Sequence, residues 1–272
     1  MIVGIGNDIL NIKRINLKIE RRILTDLEKD NGKLSAQYLA GRFSLKESFF
    51  KAIGTGLGEN SFKDVSFVNN KFGKPYAVFH KDFKGFNFCH VSLSHDDYVF
   101  STVLLERVKG KIFLGLGSNL GQREENLKNA LEEIQKNNIE IISISSLYIT
   151  KPYGYKEQDD FYNIVIEIDT DLSPTNLLNT LLYIEKKMGR RREIKWGPRN
   201  IDIDILFYGN LVVDLPNLKI PHYDFENRDF FIAPMYEISK DFVHPISSKK
   251  MFEYFSNLSI NWRKLEWNLK NI

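Results

Sequence analysis

The sequence predicts an α+β protein built as two domains, and three observations carry that expectation. Strand-like apolar runs alternate with helical patterns along the whole chain. Two segments begin alike, Ile2-Val3-Gly4-Ile5-Gly6-Asn7-Asp8 and Ile112-Phe113-Leu114-Gly115-Leu116-Gly117-Ser118. Each reads as a buried strand that runs into a glycine turn and then a helix. Before the second lies Glu106-Arg107-Val108-Lys109-Gly110-Lys111, a charged seam between two apolar strands. The expected domains are therefore residues 1–109 and 110–272.

In the first domain the pattern predicts a strand over 2–6, helices around 17–30 and 35–54, and strands over 63–69, 75–79, 88–93 and 98–105. In the second it predicts a strand over 112–117, a helix over 123–137, strands over 139–149 and 161–169, a helix over 174–188, a strand over 201–207 and a helix near 229–238. That βαββαβ order suggests an α+β sandwich of the ferredoxin-like kind. The tail, 249–272, carries Trp262 and Trp267 and reads as a terminal helix packing on the body.

Composition narrows the function classes. Lys and Arg total 38 against 35 Asp and Glu, too mild a balance to argue for nucleic acid. A single cysteine, Cys89, allows no intrachain disulfide and fits a reducing cytoplasm. The N-terminus has no basic stretch before its short apolar run, and no run approaches the roughly 20 apolar residues that span a bilayer. A soluble, cytoplasmic protein without a membrane partner is expected.

The sharpest motif is Trp196-Gly197-Pro198-Arg199-Asn200-Ile201-Asp202-Ile203-Asp204-Ile205-Leu206. After the Gly-Pro turn, apolar and acidic residues alternate. On a strand Asp202 and Asp204 share one face, and the three isoleucines face the core. Two carboxylates this close repel unless a cation neutralises them, and hard oxygen ligands with room for water and phosphate suit Mg²⁺. The plain alternative is a solvent-facing edge strand with two acids. Basic residues surround the pair: Arg190, Arg191 and Arg192 end the preceding helix, Lys195 and Arg199 flank the turn, and His222 and Arg228 follow. Arginines offer the donor fork that polyphosphate oxygens take. Alone, the arginine run would suit a solvated helix end. Gly115-x-Gly117-x-x-x-Gly121 lacks the spacing of a dinucleotide fingerprint, and no acid follows at the end of a second parallel strand.

With Gly115 to Gly121, Arg123, Asn126, Ser145 to Thr150, Asp160 to Asn163, Leu172 to Pro174, Glu185, Gly189-Arg190, the Trp196 to Asp204 block, Pro221-His222, Arg228-x-Phe230 and Pro234 in this order, the second half resembles the 6-hydroxymethyl-7,8-dihydropterin pyrophosphokinases. The resemblance spans about 112 to 246. It implies transfer of pyrophosphate from ATP to a pterin alcohol, with Asp202 and Asp204 holding Mg²⁺. Arg190, Arg192, Arg199, His222 and Arg228 would contact phosphates, and Glu185 and Tyr223 would lie near the nucleotide. Thr150, Asn163 and Phe230 would line the pterin pocket, and Trp196 belongs to the same binding set. The sequence departs from the family at Lys151, where proline is common, at Phe161, where tyrosine is frequent, and after Arg192, where one residue is missing.

In the first half, Asp8 follows a glycine-broken strand, and Phe43-Ser44-Leu45-Lys46-Glu47-Ser48-Phe49-Phe50-Lys51 reads as a helix with Glu47 and Lys51 on one face. Such a spacing is commonly a surface ion pair. The Gly54-x-Gly56-x-Gly58 run is either a helix stop or a strip where backbone approaches a phosphate. His95 closes a strand, where a lone histidine is more often structural. Together with Gly4-x-Gly6-x-Asp8, Arg14, Gly73-Lys74-Pro75 and Ser94-His95-Asp96, these pieces resemble holo-acyl-carrier-protein synthases. That resemblance implies a phosphopantetheinyl-transferase-like α+β domain, which moves 4′-phosphopantetheine from CoA to a serine of an acyl carrier protein. Asp8 and Glu47 would hold Mg²⁺, Lys46, Lys51 and His95 would steady phosphates, the Gly54–Gly56 strip belongs to the binding set, and Arg14 would receive the acidic carrier. Family members are trimers with sites between subunits. Here the stretch from Arg14 to Phe43 and that from Pro75 to Val91 are shorter than in the family, so two readings stay open: an active transferase, or an inactive trimerisation scaffold for a pyrophosphokinase.

Overall fold

The computed structural model describes residues 1–70, 72–108, 111–153, 157–190, 197–259 and 261–267. The chain divides into two compact units, the first covering Met1–Val108 with Asp171–Asn176 and the second the remainder.

In the first unit, strand β1 (Ile2–Asn11) is followed by two short helices, α1 (Glu20–Ile23) and α2 (Asp26–Asn31), and by the long α3 (Ala36–Ala52). Strands β2 (Val65–Asn69), β3 (Pro75–Phe79), β4 (Phe88–His95) and β5 (Tyr98–Glu106) complete it. An antiparallel sheet runs β1-β5-β4, and β2 and β3 form a separate hairpin. Gly4, Gly6, Asp8 and Leu10 of β1 turn toward α3, and Val3, Ile5, Asn7 and Ile9 face outward. Gly4 and Gly6 explain why the helix lies so close to the strand. A Cβ on Gly6 would stand 2.0 Å from the Ser48 carbonyl oxygen, and one on Gly4 2.2 Å from that of Ala52. The core is aromatic, with Phe49, Phe50, Phe67, Phe79 and Phe86 packed against Leu45 and Val103.

The helix expected over 17–30 is instead broken. A 3₁₀ turn over Leu17–Ile19 leads to α1, Leu24 is extended (φ −80°, ψ 132°), and Thr25 starts α2 with a capping box closed by Glu28. A strong cap in mid-sequence ends one helix and begins another.

The second unit contains β6 (Ile112–Ser118), α4 (Arg123–Lys136), β7 (Glu140–Ile144), β8 (Leu147–Thr150), β9 (Phe161–Asp169), all but the first three residues of α5 (Pro174–Lys187), and β10 (Asp202–Tyr208). A small hairpin, β11 (Val213–Leu215) and β12 (Leu218–Ile220), then α6 (Asp229–Ser239), α7 (Met251–Phe255) and β13 (Trp262–Leu265) follow. The sheet runs β10-β6-β9-β8-β13, with β7 also on β9, and every pairing is antiparallel. The first four strands give the ferredoxin-like order that βαββαβ predicts. The single strand expected over 139–149 is two, because Ser145 turns its amide to the Val165 carbonyl and accepts the Val165 N–H on its Oγ. The tail also differs from the expected helix. Among its described residues only Met251–Phe255 is helical, and Trp262–Leu265 adds a strand to the sheet edge opposite Leu147–Thr150. Trp262-Arg263-Lys264-Leu265 has no alternation to mark it as a strand, and its pairing with Thr150-Ile149-Tyr148-Leu147 makes it one.

Candidate active sites

In the second unit, register builds the site. Asp202 of β10 pairs with Gly117 of β6, and Gly117 pairs with Asn163 of β9. Directly opposed residues share a face. Asp202, Gly117 and Asn163 thus form one row, extended on the same side by Asp204, Gly115, Phe161 and Thr150. Ile203 and Ile205 point the other way into the core, as the alternation predicts. Above the row lies a cavity of about 650 Å³. Its floor is open because two glycines carry no side chain: a Cβ on Gly117 would stand 2.9 Å from Asn163 Oδ1, and one on Gly115 2.6 Å from the Phe231 ring.

One wall of the cavity is charged. Arg190 Nη1 stands 2.7 Å from Asp202 Oδ1, and Arg199 holds the other oxygen. Arg228 Nη1 lies 3.6 Å from Asp204, and its Nε donates to Asp224 at 3.0 Å. Burial, and then the neighbouring charge of Asp202, push the Asp204 carboxyl up to about 7. Burial and Arg228 together pull His222 down to about 4, so its ring is neutral at pH 7. His222 Nδ1 accepts the Asp224 N–H at 3.2 Å, which assigns the ring proton to Nε2. The guanidinium groups of Arg199 and Arg228 lie over an apolar part of the lining that has one polar edge. Phe161, Tyr153 and Phe230 line it, and the buried Asn163 donates to Thr150 Oγ1 at 2.8 Å. Tyr223 stacks on His222 at 4.8 Å between ring centroids.

Asp202, Asp204, Arg190, Arg199, His222, Arg228, Thr150, Asn163, Phe230 and Tyr223 all line this one cavity, as expected of a single site. Arg192 and Trp196 lie outside the described residues. Glu185 is a correction. It was expected beside the nucleotide, but it is buried, accepts the Ile203 N–H at 2.7 Å and holds Arg190. Burial raises its pKa. Its carboxylate anchors β10 and aims a guanidinium rather than facing a ligand. Tyr153 and Asp224 had no place in the sequence reading, and Gly115, Gly117 and Phe161 entered it within family motifs without a role in the cavity. A Gly-x-Gly in mid-strand opposite two acids was the available signal.

The acid pair suits a hard divalent cation. Burial first, and the charge of Asp202 second, disfavour the ionised Asp204, and a cation would offset both. No group of three or more His, Cys, Asp or Glu side chains that could hold a metal occurs among the described residues. A cation here would therefore complete its shell with water and phosphate oxygens, which is how Mg²⁺ is commonly held.

The first unit brings Asp8, Glu47 and Lys51 together. Asp8 Oδ1 pairs with Lys51 Nζ at 2.8 Å, and the same ammonium donates to the Asn7 carbonyl at 3.0 Å. Glu47 is half-buried, and burial followed by the Asp8 charge raises its pKa. This is again a repelling acid pair beside a cationic side chain, brought together by the two glycines that admit α3. His95 lies at the end of β4, bonded to Gln37 at 3.0 Å, and Arg14 is exposed at the end of a 3₁₀ turn. Gly54 has φ +79° after a helix that ends at Ala52, so it serves as the helix stop. Gly56 is exposed at φ +58°, with open space where a side chain would be.

Lys46 is the second correction. Expected among the phosphate contacts, it is fully buried, and its ammonium donates to the Ile23 carbonyl at 2.6 Å, the Phe62 carbonyl at 2.6 Å and Glu28 Oε2 at 2.7 Å. One helical step from Glu47 turns a side chain about 100° away, into the core.

Comparison with known proteins gives each half its own family. Residues 113–240 match the 7,8-dihydro-6-hydroxymethylpterin-pyrophosphokinase family, and residues 4–103 the 4′-phosphopantetheinyl transferase superfamily. The chain is 42% identical over 143 residues to the 2-amino-4-hydroxy-6-hydroxymethyldihydropteridine pyrophosphokinase of Aquifex aeolicus, covering 53% of this chain and 89% of that one. The namesake enzyme of Haemophilus influenzae is 46% identical over 136 residues, or 50% of this chain and 85% of that one. The holo-[acyl-carrier-protein] synthase of Thermotoga maritima is 47% identical over 136 residues, 48% of this chain and 80% of that one. The chain is thus a transferase that belongs to two families at once, the phosphopantetheinyl transferases of the holo-acyl-carrier-protein synthase type through its first half and the hydroxymethyldihydropterin pyrophosphokinases through its second.

Proposed function

We propose that the chain is bifunctional, with residues 110–272 forming a pterin pyrophosphokinase domain and residues 1–109 a phosphopantetheinyl transferase domain. The second half moves pyrophosphate from ATP to the hydroxymethyl group of 6-hydroxymethyl-7,8-dihydropterin, a step of folate biosynthesis. The observation that carries this reading is the mixed lining of one cavity: Asp202, Asp204 and three arginines beside Phe161, Phe230 and the Asn163–Thr150 edge. A flat heterocycle stacks on the rings and pairs its polar edge with Asn163, which leaves its alcohol facing the charged wall. Arg190, Arg199 and Arg228 take phosphate oxygens, and neutral His222 donates from Nε2 without adding charge. The alcohol oxygen bonds to the β-phosphorus and gives up its proton to water, the β-phosphorus bond to the bridging oxygen breaks, and AMP leaves with that oxygen. Asp202 and Asp204 would hold Mg²⁺, which neutralises phosphate charge when bound. The remaining work is positioning.

The first half transfers 4′-phosphopantetheine from CoA to a serine of an acyl carrier protein, a step that serves fatty acid and lipid biosynthesis. Asp8 and Glu47 would hold Mg²⁺ at the CoA pyrophosphate beside Lys51, and Arg14 would receive the carrier. The outward face of β1 and β5 supports a homotrimer, since Ile5, Ile9, Tyr98 and Phe100 are 57%, 66%, 53% and 49% exposed. Both reactions use water-soluble substrates, which fits the cytoplasm, and no described helix is long and apolar enough to cross a membrane.

The same apolar face would serve an inactive scaffold equally well, so activity must decide. Purified protein with CoA, Mg²⁺ and an apo acyl carrier protein should yield carrier heavier by one phosphopantetheine on intact-mass analysis. Addition lost in Asp8→Ala, with pyrophosphokinase activity retained, establishes two independent sites. No addition to several carriers makes this a one-activity enzyme.

A further inference from the structure

Lys46 and Glu28 form a charged pair with no solvent exposure on either side chain. Every donor and acceptor in it is used. The ammonium donates to Ile23, Phe62 and Glu28. Glu28 Oε2 also accepts from Thr25 N at 2.9 Å and Thr25 Oγ1 at 3.3 Å, and Oε1 accepts from Phe67 N at 2.9 Å. Two side chains thereby join the end of α1, the start of α2, the middle of α3, the loop at Phe62 and strand β2. Buried ion pairs add little net stability compared with an apolar pair, but they fix geometry where both partners are fully bonded.

What the hub fixes is informative. The segment around it, the 3₁₀ turn over Leu17–Ile19 with α1 and α2, has helices of four and six residues, too short to hold a position unaided. Its apolar anchorage is a cluster apart from the main core, buried Ile23, Leu24 and Leu39 with half-buried side chains such as Ile15, Ile19 and Phe62 around them. It displays Lys13, Arg14, Lys18, Arg21 and Arg22, all exposed. On the other side of the hub, the residue after Lys46 is Glu47.

We propose that Lys46, with Glu28, is a positioning residue that sets the basic segment 13–22 relative to the Asp8–Glu47 acid pair, so that an acidic carrier protein docked on that segment presents its serine at the acids. This rests on the transferase reading of the first half. The hub governs carrier recognition and leaves CoA binding alone, whereas a phosphate-binding lysine would do the reverse.

The test uses the full chain and its Lys46→Met variant, with apo acyl carrier protein, CoA and Mg²⁺. Loss of the hub should raise KM for the carrier about tenfold, one hydrogen-bond-sized contribution, with kcat and the KM for CoA changed less than about threefold. Backbone amides of 20–31 should exchange faster while those of β1 and β5 keep their protection. A rise in KM for CoA overturns the proposal, as does a fall in kcat alone or unchanged exchange at 20–31. Should Lys46→Met fail to fold, Glu28→Gln keeps the shape and the acceptor oxygen, and the same split between the two KM values is expected at smaller size. A wild-type protein without transfer activity would sink the functional reading, and exchange at 20–31 would then decide the hub by itself.

Discussion

Both halves begin with a strand carrying Gly-x-Gly, and the two pairs of glycines do opposite work. In β1 the space beside Gly4 and Gly6 is filled by backbone: the Ser48 and Ala52 carbonyls of α3 come to where side chains would be. In β6 the space beside Gly115 and Gly117 meets side chains, the Phe231 ring and the Asn163 amide, and beyond them a cavity. The first pair pulls a helix onto a strand so that Glu47 and Lys51 reach Asp8. The second keeps a floor low so that a ligand can lie on it. A glycine pattern in a strand thus announces a close approach and leaves open what approaches.

The largest effect should follow from removing an acid in either half. Asp204→Ala should lower pyrophosphoryl transfer about 10²- to 10³-fold in kcat, the usual size for one lost charge-stabilising group, while leaving phosphopantetheine transfer intact. Asp8→Ala should do the converse. Assays of both activities on both variants check this, and cross-inhibition would mean that the two sites are not independent. Gly6→Ala comes next. Its methyl meets a carbonyl oxygen that moves only if α3 moves, so a loss of about 3 kcal/mol or more in the first half is expected, above the common range for overpacking. Denaturant unfolding followed by exchange in β1 and α3 would show it.

The pH behaviour separates two neighbours in the second site. His222 is held near 4 in the fold against an ordinary 6.5, so its contribution to stability is present above pH 6.5 and lost as pH falls toward 4. Asp204 is held near 7 against 3.8, so its ionisation costs stability above pH 7, and stability is regained as pH falls toward 3.8. The two oppose each other across the same window. Asp204→Asn leaves the histidine unopposed, and metal-free variant should lose about 2 kcal/mol more than wild type between pH 7 and pH 5. All three tryptophans, Trp196, Trp262 and Trp267, lie in the second half, so urea melts followed by their fluorescence report that half. Parallel slopes for the two proteins would contradict the assignment.

The second site was more legible in the sequence than the first, and the reason is periodicity. Asp202-Ile203-Asp204 on a strand fixes which side chains share a face, so the acid pair could be read without a structure. Lys46 and Glu47 are adjacent on a helix and both charged, and local pattern does not say which of them is buried. Only Glu28, eighteen residues earlier and at zero exposure, reveals that Lys46 belongs to the core. Glu185 was misplaced for the same reason: its partners, the Ile203 amide and Arg190, are set by how α5 meets β10. The tail strand escaped because its pairing partner, β8, lies more than a hundred residues away.

Gly117→Ala sharpens the contrast between the two glycine pairs with the smallest change. Its Cβ would stand 2.9 Å from Asn163 Oδ1, the end of a side chain, so a small rotation of Asn163 relieves the contact. Stability should fall by about 1 kcal/mol at most, since a flexible neighbour absorbs the volume. Function should suffer more than stability. Rotating Asn163 breaks its 2.8 Å bond to Thr150 and turns away the amide that would pair with the heterocycle edge. An unpaired polar edge in a buried ligand costs on the order of 1–3 kcal/mol, so KM for the pterin should rise about tenfold or more with KM for ATP nearly unchanged. Equal effects on both substrates would mean that the glycine serves the strand alone, and that β6 resembles β1 after all.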